Sequence, residues 1–188
     1  VLSDGEPLSA CEVVRFRQGQ IEYVGIVKED DIEDRETRQA TVIVPRGSYL
    51  YDVRAQRFLG KVAQAQTAIT PGVPLLYARF PYQIDGLRLK PDKSRCAAGE
   101  AVALRIRITT SAGQLAGNHV VRLEVTDPNG ETQSHYAQNL LRPEREMTTH
   151  VRLALNDPAG EWTFVATDVV SGQAGSARVE VTPAGNAG

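Results

Sequence analysis

The residues best suited to acid–base or metal chemistry in this sequence are His119, His135 and His150. Nucleophilic catalysis needs a His beside a Ser or Cys, with a carboxylate behind it. None of the three lies in a Gly-x-Ser-x-Gly or similar setting. Their spacing does not favour zinc either, although neighbouring strands that aligned them on one face would create a site. We therefore expect surface histidines and no catalytic, cofactor-binding or metal-binding residue.

The sharpest run of charge is Glu29–Asp34, with five carboxylates in six residues. A calcium loop places oxygen ligands at alternating positions with a Gly at the bend. This run has no Gly and is interrupted by Ile32, while Arg35 and Arg38 follow directly and neutralise part of it. The pattern predicts a solvated loop, with a metal or partner site as the alternative.

The sequence contains two cysteines, Cys11 and Cys96, one in each half of the chain. The preferred interpretation is two isolated buried thiols. The alternative is a bridge between the two halves, which would imply an oxidising compartment. Both interpretations stay open at this point.

The formal net charge is −2, with 21 Lys and Arg against 23 Asp and Glu. A nucleic acid or an anionic membrane calls for a basic face, and the nearest approach to one along the chain is Arg88, Lys90, Lys93 and Arg95. We interpret these four as solvated charges on an edge strand and its turn, where Lys discourages aggregation. No apolar run approaches the ~20 residues needed for a membrane span. The start at Val1, followed by a linker-like segment, suggests a piece of a larger parent polypeptide.

Alternating apolar and polar residues predict the elements that would position these side chains. The period of two runs through His119–Thr126, Thr149–Asn156, Glu161–Asp168 and Ser176–Thr182, and it is most regular in Val102–Ile108. Such a period buries one face of an antiparallel sheet and exposes the other. Two similar turns, Asp127-Pro128-Asn129-Gly130 and Asp157-Pro158-Ala159-Gly160, punctuate these strands.

Short segments rich in β-branched residues fill the rest of the chain. The further predicted strands are Cys11–Arg17, Gln20–Lys28, Ala40–Val44, Ser48–Val53, Phe58–Lys61, Gln64–Thr70, Leu75–Phe80, Leu87–Leu89, Val102–Ile108 and Gln133–Tyr136. Pro45-Arg46-Gly47 is predicted as a turn. The pattern restarts after Pro81–Gly86, which predicts domains at 1–83 and 84–188. The fold class is all-β, with two antiparallel β-sandwich domains in tandem, the second immunoglobulin-like because it has about seven strands in about 95 residues.

The segment Tyr51–Gly60, followed by Pro71-Gly72 and the apolar Leu75–Ala78, resembles part of a known family. It is similar to the antiparallel C-terminal β domain of bacterial glycoside hydrolases of the amylase and β-galactosidase kind. The resemblance covers Gln20–Pro81 and implies an accessory β domain. It carries over no catalytic residue, because the acid/base carboxylates of those enzymes lie on a preceding barrel.

A second resemblance covers about half of the chain. Gly160–Phe164 with the later Thr167-Asp168 resembles the late strands of bacterial immunoglobulin-like and macroglobulin-like modules. It implies a fold rather than an activity, and the paired cysteines of antibody domains are lacking. We expect Trp162 to fill the core between two sheets rather than form an exposed platform for sugars.

The leading hypothesis is a non-catalytic module pair, a structural or accessory region of a larger bacterial polysaccharide-processing protein. The alternatives are a carbohydrate-binding module, and an adhesion or protein-interaction module with an open edge strand. Sugar binding would need exposed aromatic side chains, for which the candidates are Tyr23, Tyr49, Tyr51, Tyr77, Tyr82 and Tyr136. Such a parent protein implies secretion or the cell envelope, with a cytoplasmic location left open. The expected partners are the rest of the parent chain and a polysaccharide, with neither nucleic acid nor membrane.

Overall fold

The computed structural model describes residues 1–3, 5–30, 35–113, 115, 117–142 and 146–184. This part of the chain is built of β-strands, and its one short helical element is a single 3₁₀ turn, Ser134–Tyr136. No helix in the described ranges is long and apolar enough to cross a membrane. The chain divides into two compact units, Val1–Gln83 and Ile84–Gly188.

The first unit is one sheet of seven strands. The strands are β1 (Leu2–Ser3), β2 (Glu6–Pro7), β3 (Cys11–Gln18), β4 (Ile21–Lys28), β5 (Arg38–Asp52), β6 (Arg57–Ile69) and β7 (Leu75–Phe80). Their order is β2-β1-β5-β7-β4-β3, and β6 pairs with β5. Every pairing is antiparallel, and the hydrogen-bonded sheet is continuous where two packed sheets were expected.

The turn predicted at Pro45-Arg46-Gly47 is wrong, because β5 continues through it. The register with β6 jumps from Ile43↔Gln64 to Ser48↔Val62, so four residues of β5 lie opposite one residue of β6. Gly47 takes a positive φ of 81° in this bulge, a conformation that glycine adopts without steric cost. The strands predicted at Ala40–Val44 and Ser48–Val53 are therefore parts of one long strand, β5. Those predicted at Phe58–Lys61 and Gln64–Thr70 are likewise parts of β6.

One face of this sheet carries the core of the first unit. The core cluster is contributed by β4 to β7 and consists of Ile26, Ala40, Val42, Val44, Leu50, Ile69 and Tyr77. The opposite face near the β5–β6 hairpin holds an aromatic group in which Tyr51 lies between Phe58 and Phe80. The first unit therefore buries side chains on both faces of its central strands.

The second unit has two sheets. Its strands are β8 (Ile84–Pro91), β9 (Arg95–Ala97), β10 (Ala101–Thr110), β11 (His119–Thr126), β12 (Gln138–Arg142), β13 (Glu146–Arg152), β14 (Gly160–Asp168) and β15 (Ala174–Thr182). One sheet has the order β13-β10-β8 and the other β12-β11-β14-β15-β9. All pairings are antiparallel except the parallel pair β9–β15.

Strict alternation builds the core of this second unit. The inward residues are fully buried: Val102, Leu104, Ile106 and Ile108 on β10, Val121, Leu123 and Val125 on β11, and Trp162, Phe164 and Ala166 on β14. Gly175 on β15 lies so near β8 that an added Cβ would be 2.7 Å from the Leu87 carbonyl oxygen. The two sheets therefore approach closely there, and the fold is sandwich-like.

Two strand predictions in the second unit need correction. Gln133–Tyr136 was predicted as a strand but contains the 3₁₀ turn, since Tyr136 turns to place its hydroxyl 2.6 Å from an Asp157 carboxylate oxygen. β13 ends at Arg152 rather than continuing to Asn156, so Leu155 is 73% exposed instead of facing the core. The short strands β9 and β12 were not predicted.

Candidate functional site

His119 was predicted at the surface, but it is buried in β11, with Nδ1 2.8 Å from Oδ2 of Asp168. The other carboxylate oxygen of Asp168 accepts hydrogen bonds from the Ser171 hydroxyl at 2.7 Å and from the backbone N–H of Ser171 at 2.8 Å. In an activated nucleophile the Ser hydroxyl donates to the imidazole, and the carboxylate orients the imidazole. Here the Ser171 hydroxyl donates to the carboxylate instead, so the set does not activate Ser171. This buried set holds the β14–β15 turn together.

The remaining groups considered for metal or redox chemistry lie apart from one another. His135 and His150 are both exposed. In the described ranges no three His, Cys, Asp or Glu side chains are placed to hold one ion. Most of the acidic run, Asp31–Asp34, lies outside the described residues, so its interpretation remains a prediction. Both cysteines are free thiols, Cys11 half-buried and Cys96 buried, and burial raises the pKa of each.

The tyrosines do not form a common platform. Tyr51, Tyr77 and Tyr82 are buried, while Tyr23, Tyr49 and Tyr136 are partly exposed. Burial raises the pKa of Tyr136 to about 12, and its hydrogen bond to Asp157 adds to this effect. The burial predicted for Trp162 is confirmed, and its indole N–H donates to the Pro158 carbonyl at 2.9 Å.

The most unusual surface of the first unit is strand β3. It pairs with β4 along all eight of its residues, from Cys11↔Lys28 to Gln18↔Ile21. No strand in the described ranges pairs with its other side. Its apolar side chains are exposed, Val13 by 41%, Val14 by 49% and Phe16 by 51%. An exposed, long, hydrophobic edge is a template for pairing with another chain.

Each face of strand β3 carries exposed apolar side chains. Consecutive side chains of a strand point to opposite faces, so Val13 and Val14 lie on different sides of the sheet. On one side Phe16 stacks on Tyr23 of β4, with ring centroids 5.1 Å apart. On the other side Val13 lines a cleft of about 140 Å³, shared with Val24, Ile26, Val42 and Ile43.

An ion pair closes one end of this cleft. Glu22 and Arg79 form a hydrogen-bonded salt bridge whose carboxylate is largely buried. Arg79 also donates to the Ser48 hydroxyl at 3.3 Å. Because each charge has a partner, the polar end of the cleft is fixed rather than available for chemistry.

The other edge strands of the described chain are short or expose charged or polar side chains. β2 has two residues, β9 three and β12 five, β8 and β13 expose charged residues, and β6 exposes Arg57, Lys61 and two Gln side chains. Short length and outward charge are the usual protections of an edge strand. β3 carries charges too, Glu12, Arg15 and Arg17, but they alternate with exposed apolar residues. We name Cys11–Gln18 with its adjoining cleft the β3 edge.

Comparison with known proteins finds similar solved structures but neither a matching family nor a matching curated sequence. No family profile matches the chain, and no curated protein matches its sequence. Among solved structures, a CARDB domain of Pyrococcus furiosus, crystallised in complex with di-metal ions, has a TM-score of 0.36 at 11% identity, over 53% of this chain and 92% of that one. The adhesin InvE of Yersinia pseudotuberculosis has a TM-score of 0.40 at 13% identity, over 93% of this chain and 59% of that one.

A third similar structure is Salmonella alpha-2-macroglobulin, with a TM-score of 0.42 and 17% identity over 93% of this chain. The chain spans 12% of that structure's length. All three are β-rich proteins, and at these scores the likenesses support nothing about activity, ligand or partner.

Proposed function

We propose that this chain is a non-catalytic interaction module whose β3 edge accepts an extended segment of a partner protein as an added strand. The observation that carries the proposal is the unpaired side of β3, eight residues long with Val13, Val14 and Phe16 exposed. In strand addition, main-chain hydrogen bonds provide affinity, and pockets for alternate side chains provide specificity.

The β3 edge defines the chemistry of the segment that it accepts. The cleft beside Val13 takes an apolar side chain on one face, and Val14 and Phe16 take apolar side chains on the other. Arg15 and Arg17 outnumber Glu12 along the strand. The accepted segment therefore combines apolar residues on both faces with at least one acidic residue.

The proposal also covers the domain type of each unit and the parent protein. The first unit would be an accessory β domain of the kind that follows glycoside hydrolase catalytic domains, and the second an immunoglobulin-like sandwich. The sheets of three and five strands and the buried Trp162 support the second assignment. The parent would be a polysaccharide-processing protein of the cell surface, with this chain providing attachment rather than turnover.

The test uses a phage library that displays random octapeptides, selected against the whole chain. The double variant Val14→Lys with Phe16→Lys places charges on the exposed face of β3, and both side chains are about half exposed. The matched control is Leu141→Lys on β12, another edge strand with an apolar residue exposed by 56%. We expect peptides with apolar residues on both faces and at least one acidic residue, which bind the chain and the control variant but not the double variant.

Two results would overturn the proposal. One is selected peptides that bind the double variant as well as the original chain. The other is equal loss of binding in the Leu141→Lys variant, which would indicate general hydrophobic adhesion. Near-ultraviolet circular dichroism of both variants checks that the fold is unchanged.

A further inference from the structure

The outward face of the three-stranded sheet of the second unit carries a compact group of cations. β10 turns Arg105 and Arg107 outward, and β8 turns Arg88 and Lys90 to the same face. The register places Arg88 directly opposite Arg107 and Lys90 directly opposite Arg105. Sequence reasoning found no basic cluster, because it grouped Arg88 and Lys90 with Lys93 and Arg95 along the chain. We name Arg88, Lys90, Arg105 and Arg107 the basic face.

This arrangement is unfavourable for the folded chain by itself. Like charges directly opposite each other on neighbouring strands are destabilising. Glu146 of β13 lies 3.9 Å from Nε of Arg105 and 3.9 Å from Nη1 of Arg107, so one carboxylate serves two cations. Within the described ranges no carboxylate forms an ion pair with Arg88 or Lys90. Four cations stand against two carboxylates, Glu146 and the nearby Asp92, so this surface keeps a net positive charge.

Protection of a sheet edge does not explain the basic face. Charged residues on β8 would suffice for that purpose, because β8 is an edge strand of its sheet. β10 is the central strand, paired on both sides, and needs no such protection. Arg105 and Arg107 nevertheless place two further cations opposite those of β8. Because edge protection does not require these two cations, their position suggests that the face binds a ligand.

The surface around these cations is concave. A cleft of about 280 Å³ is lined by Lys90, Pro91, Asp92, Ala103, Arg105 and Thr148. A second cleft of about 190 Å³ is lined by the four cations and Glu146. The two clefts share Lys90 and Arg105, so they form one shallow groove along the strands.

The spacing of the cations identifies the chemistry of the ligand. Along each strand they are two residues apart, about 6.6 Å. An extended peptide lying along the groove places alternate side chains at the same interval. Arginine presents a planar fork that binds a carboxylate through two hydrogen bonds. We propose that the basic face binds an extended acidic peptide with carboxylates at alternate positions, independently of the β3 edge.

The experiment measures fluorescence anisotropy of two labelled octapeptides with the whole chain. Both contain four Glu and four Ser, one in strict alternation and the other with all four Glu adjacent. Equal composition and charge leave only spacing to distinguish them. We expect the alternating peptide to bind at least fivefold more tightly, and the affinity of both to fall with added NaCl.

The variant pair Lys90→Gln with Arg105→Gln removes two cations from the groove. The matched control, Arg122→Gln with Arg178→Gln, removes two exposed cations from the other sheet, so the net charge changes equally. We expect at least tenfold weaker binding in the first pair and less than twofold change in the control. The melting temperature of the first pair should be unchanged or higher, because a like-charge contact is removed.

Three outcomes would overturn the proposal. They are equal affinity for the two peptides, equal losses in the two variant pairs, and no binding of either peptide at low salt. A parallel titration with heparin addresses a different ligand class. Heparin binding that needs Lys90 and Arg105, without peptide binding, would assign the groove to a sulfated polysaccharide instead.

Discussion

Strand β3 of the first unit and strand β10 of the second both mix apolar residues with arginines, as in Arg15-Phe16-Arg17 and Arg105-Ile106-Arg107. Ile106 is buried and Phe16 is half exposed. The difference is the layer above the strand, since a second sheet covers the inner face of β10. An alternating pattern therefore predicts which residues share a face, while burial depends on whether a second layer is present.

The two strands also use their arginines differently. On β10 the arginines occupy the face away from the core, and the only apolar side chains on that face of β10 are the small Ala101 and Ala103. On β3 the consecutive Val13 and Val14 place an apolar side chain on each face, so a layer that covers one face alone cannot bury both. A strand of the second kind gains stability by acquiring a neighbour. This contrast motivates separate ligands for the two units, a pairing strand for one and a charged peptide for the other.

The closed core of the second unit is most sharply tested by Trp162→Ala. The side chain is fully buried and its N–H is hydrogen-bonded, so we expect a loss of about 3–5 kcal/mol. Urea denaturation followed by far-ultraviolet circular dichroism measures it. The control Leu155→Ala, at a side chain exposed by 73%, should change stability by less than about 0.5 kcal/mol. Similar losses in the two variants would contradict a closed core.

Asp168→Ala tests whether the buried polar set is structural. The substitution leaves buried donors of His119 and Ser171 unsatisfied, and each such group costs about 1–3 kcal/mol. We expect a total loss of about 3 kcal/mol from the unfolding free energy, and about 1 kcal/mol for Ser171→Ala. An Asp168→Ala variant with a nearly unchanged unfolding free energy would contradict a structural role for this set.

Asp127 offers a pH-dependent test of the turns. The backbone N–H groups of Glu131 and Asn129 and the side-chain amide of Gln133 hold the pKa of this carboxyl below its ordinary value. A lowered folded-state pKa contributes stability above the unfolded value of about 3.9, and the contribution is lost as the pH falls through the folded value. Asp127→Asn should therefore lower the melting temperature at pH 7 and match the original chain near pH 2. A constant difference across this range would contradict the assignment.

The smallest expected effect is that of Val14→Lys on stability. The side chain is about half exposed on the open edge, so we expect the unfolding free energy to change by less than about 0.5 kcal/mol. The same substitution should reduce light scattering of concentrated solutions, because a charge on an open edge opposes strand pairing. A loss of several kcal/mol would show that β3 is covered in the folded chain.

Sequence reasoning located most strands because alternation is a local signal. His119–Thr126 has the predicted bounds, and Glu161–Asp168 differs from the observed strand by one residue. β9 was missed because three residues carry no period, and Gln133–Tyr136 was wrong because the contacts of Tyr136 with Asp157 and Trp162 determine its conformation. The repeated Asp-Pro-x-Gly motifs also differ, since Asp127 bonds within its own turn and Asp157 to Ala154 and Tyr136.

The candidate sites were harder to predict than the strands. That β3 lies at an edge depends on the order of strands in the sheet, which no local pattern contains. The basic face depends on the register between β8 and β10, because residues 15 or more positions apart become direct neighbours. The two sites therefore became visible only with the pairing of the strands.

The parallel pairing of β9 with β15 has a consequence for how the second unit folds. It joins Arg95 to Glu180 and Cys96 to Val181, and the Thr182 hydroxyl donates to the Cys96 carbonyl at 3.2 Å. Contacts between residues so distant in sequence form slowly, because a long loop must close first. During synthesis β9 must wait for nearly the whole unit to leave the ribosome before it finds its partner. Until β15 has been synthesised, β14, which carries Trp162, also lacks its β15 neighbour. The incomplete sheet makes this unit vulnerable to misassembly during synthesis.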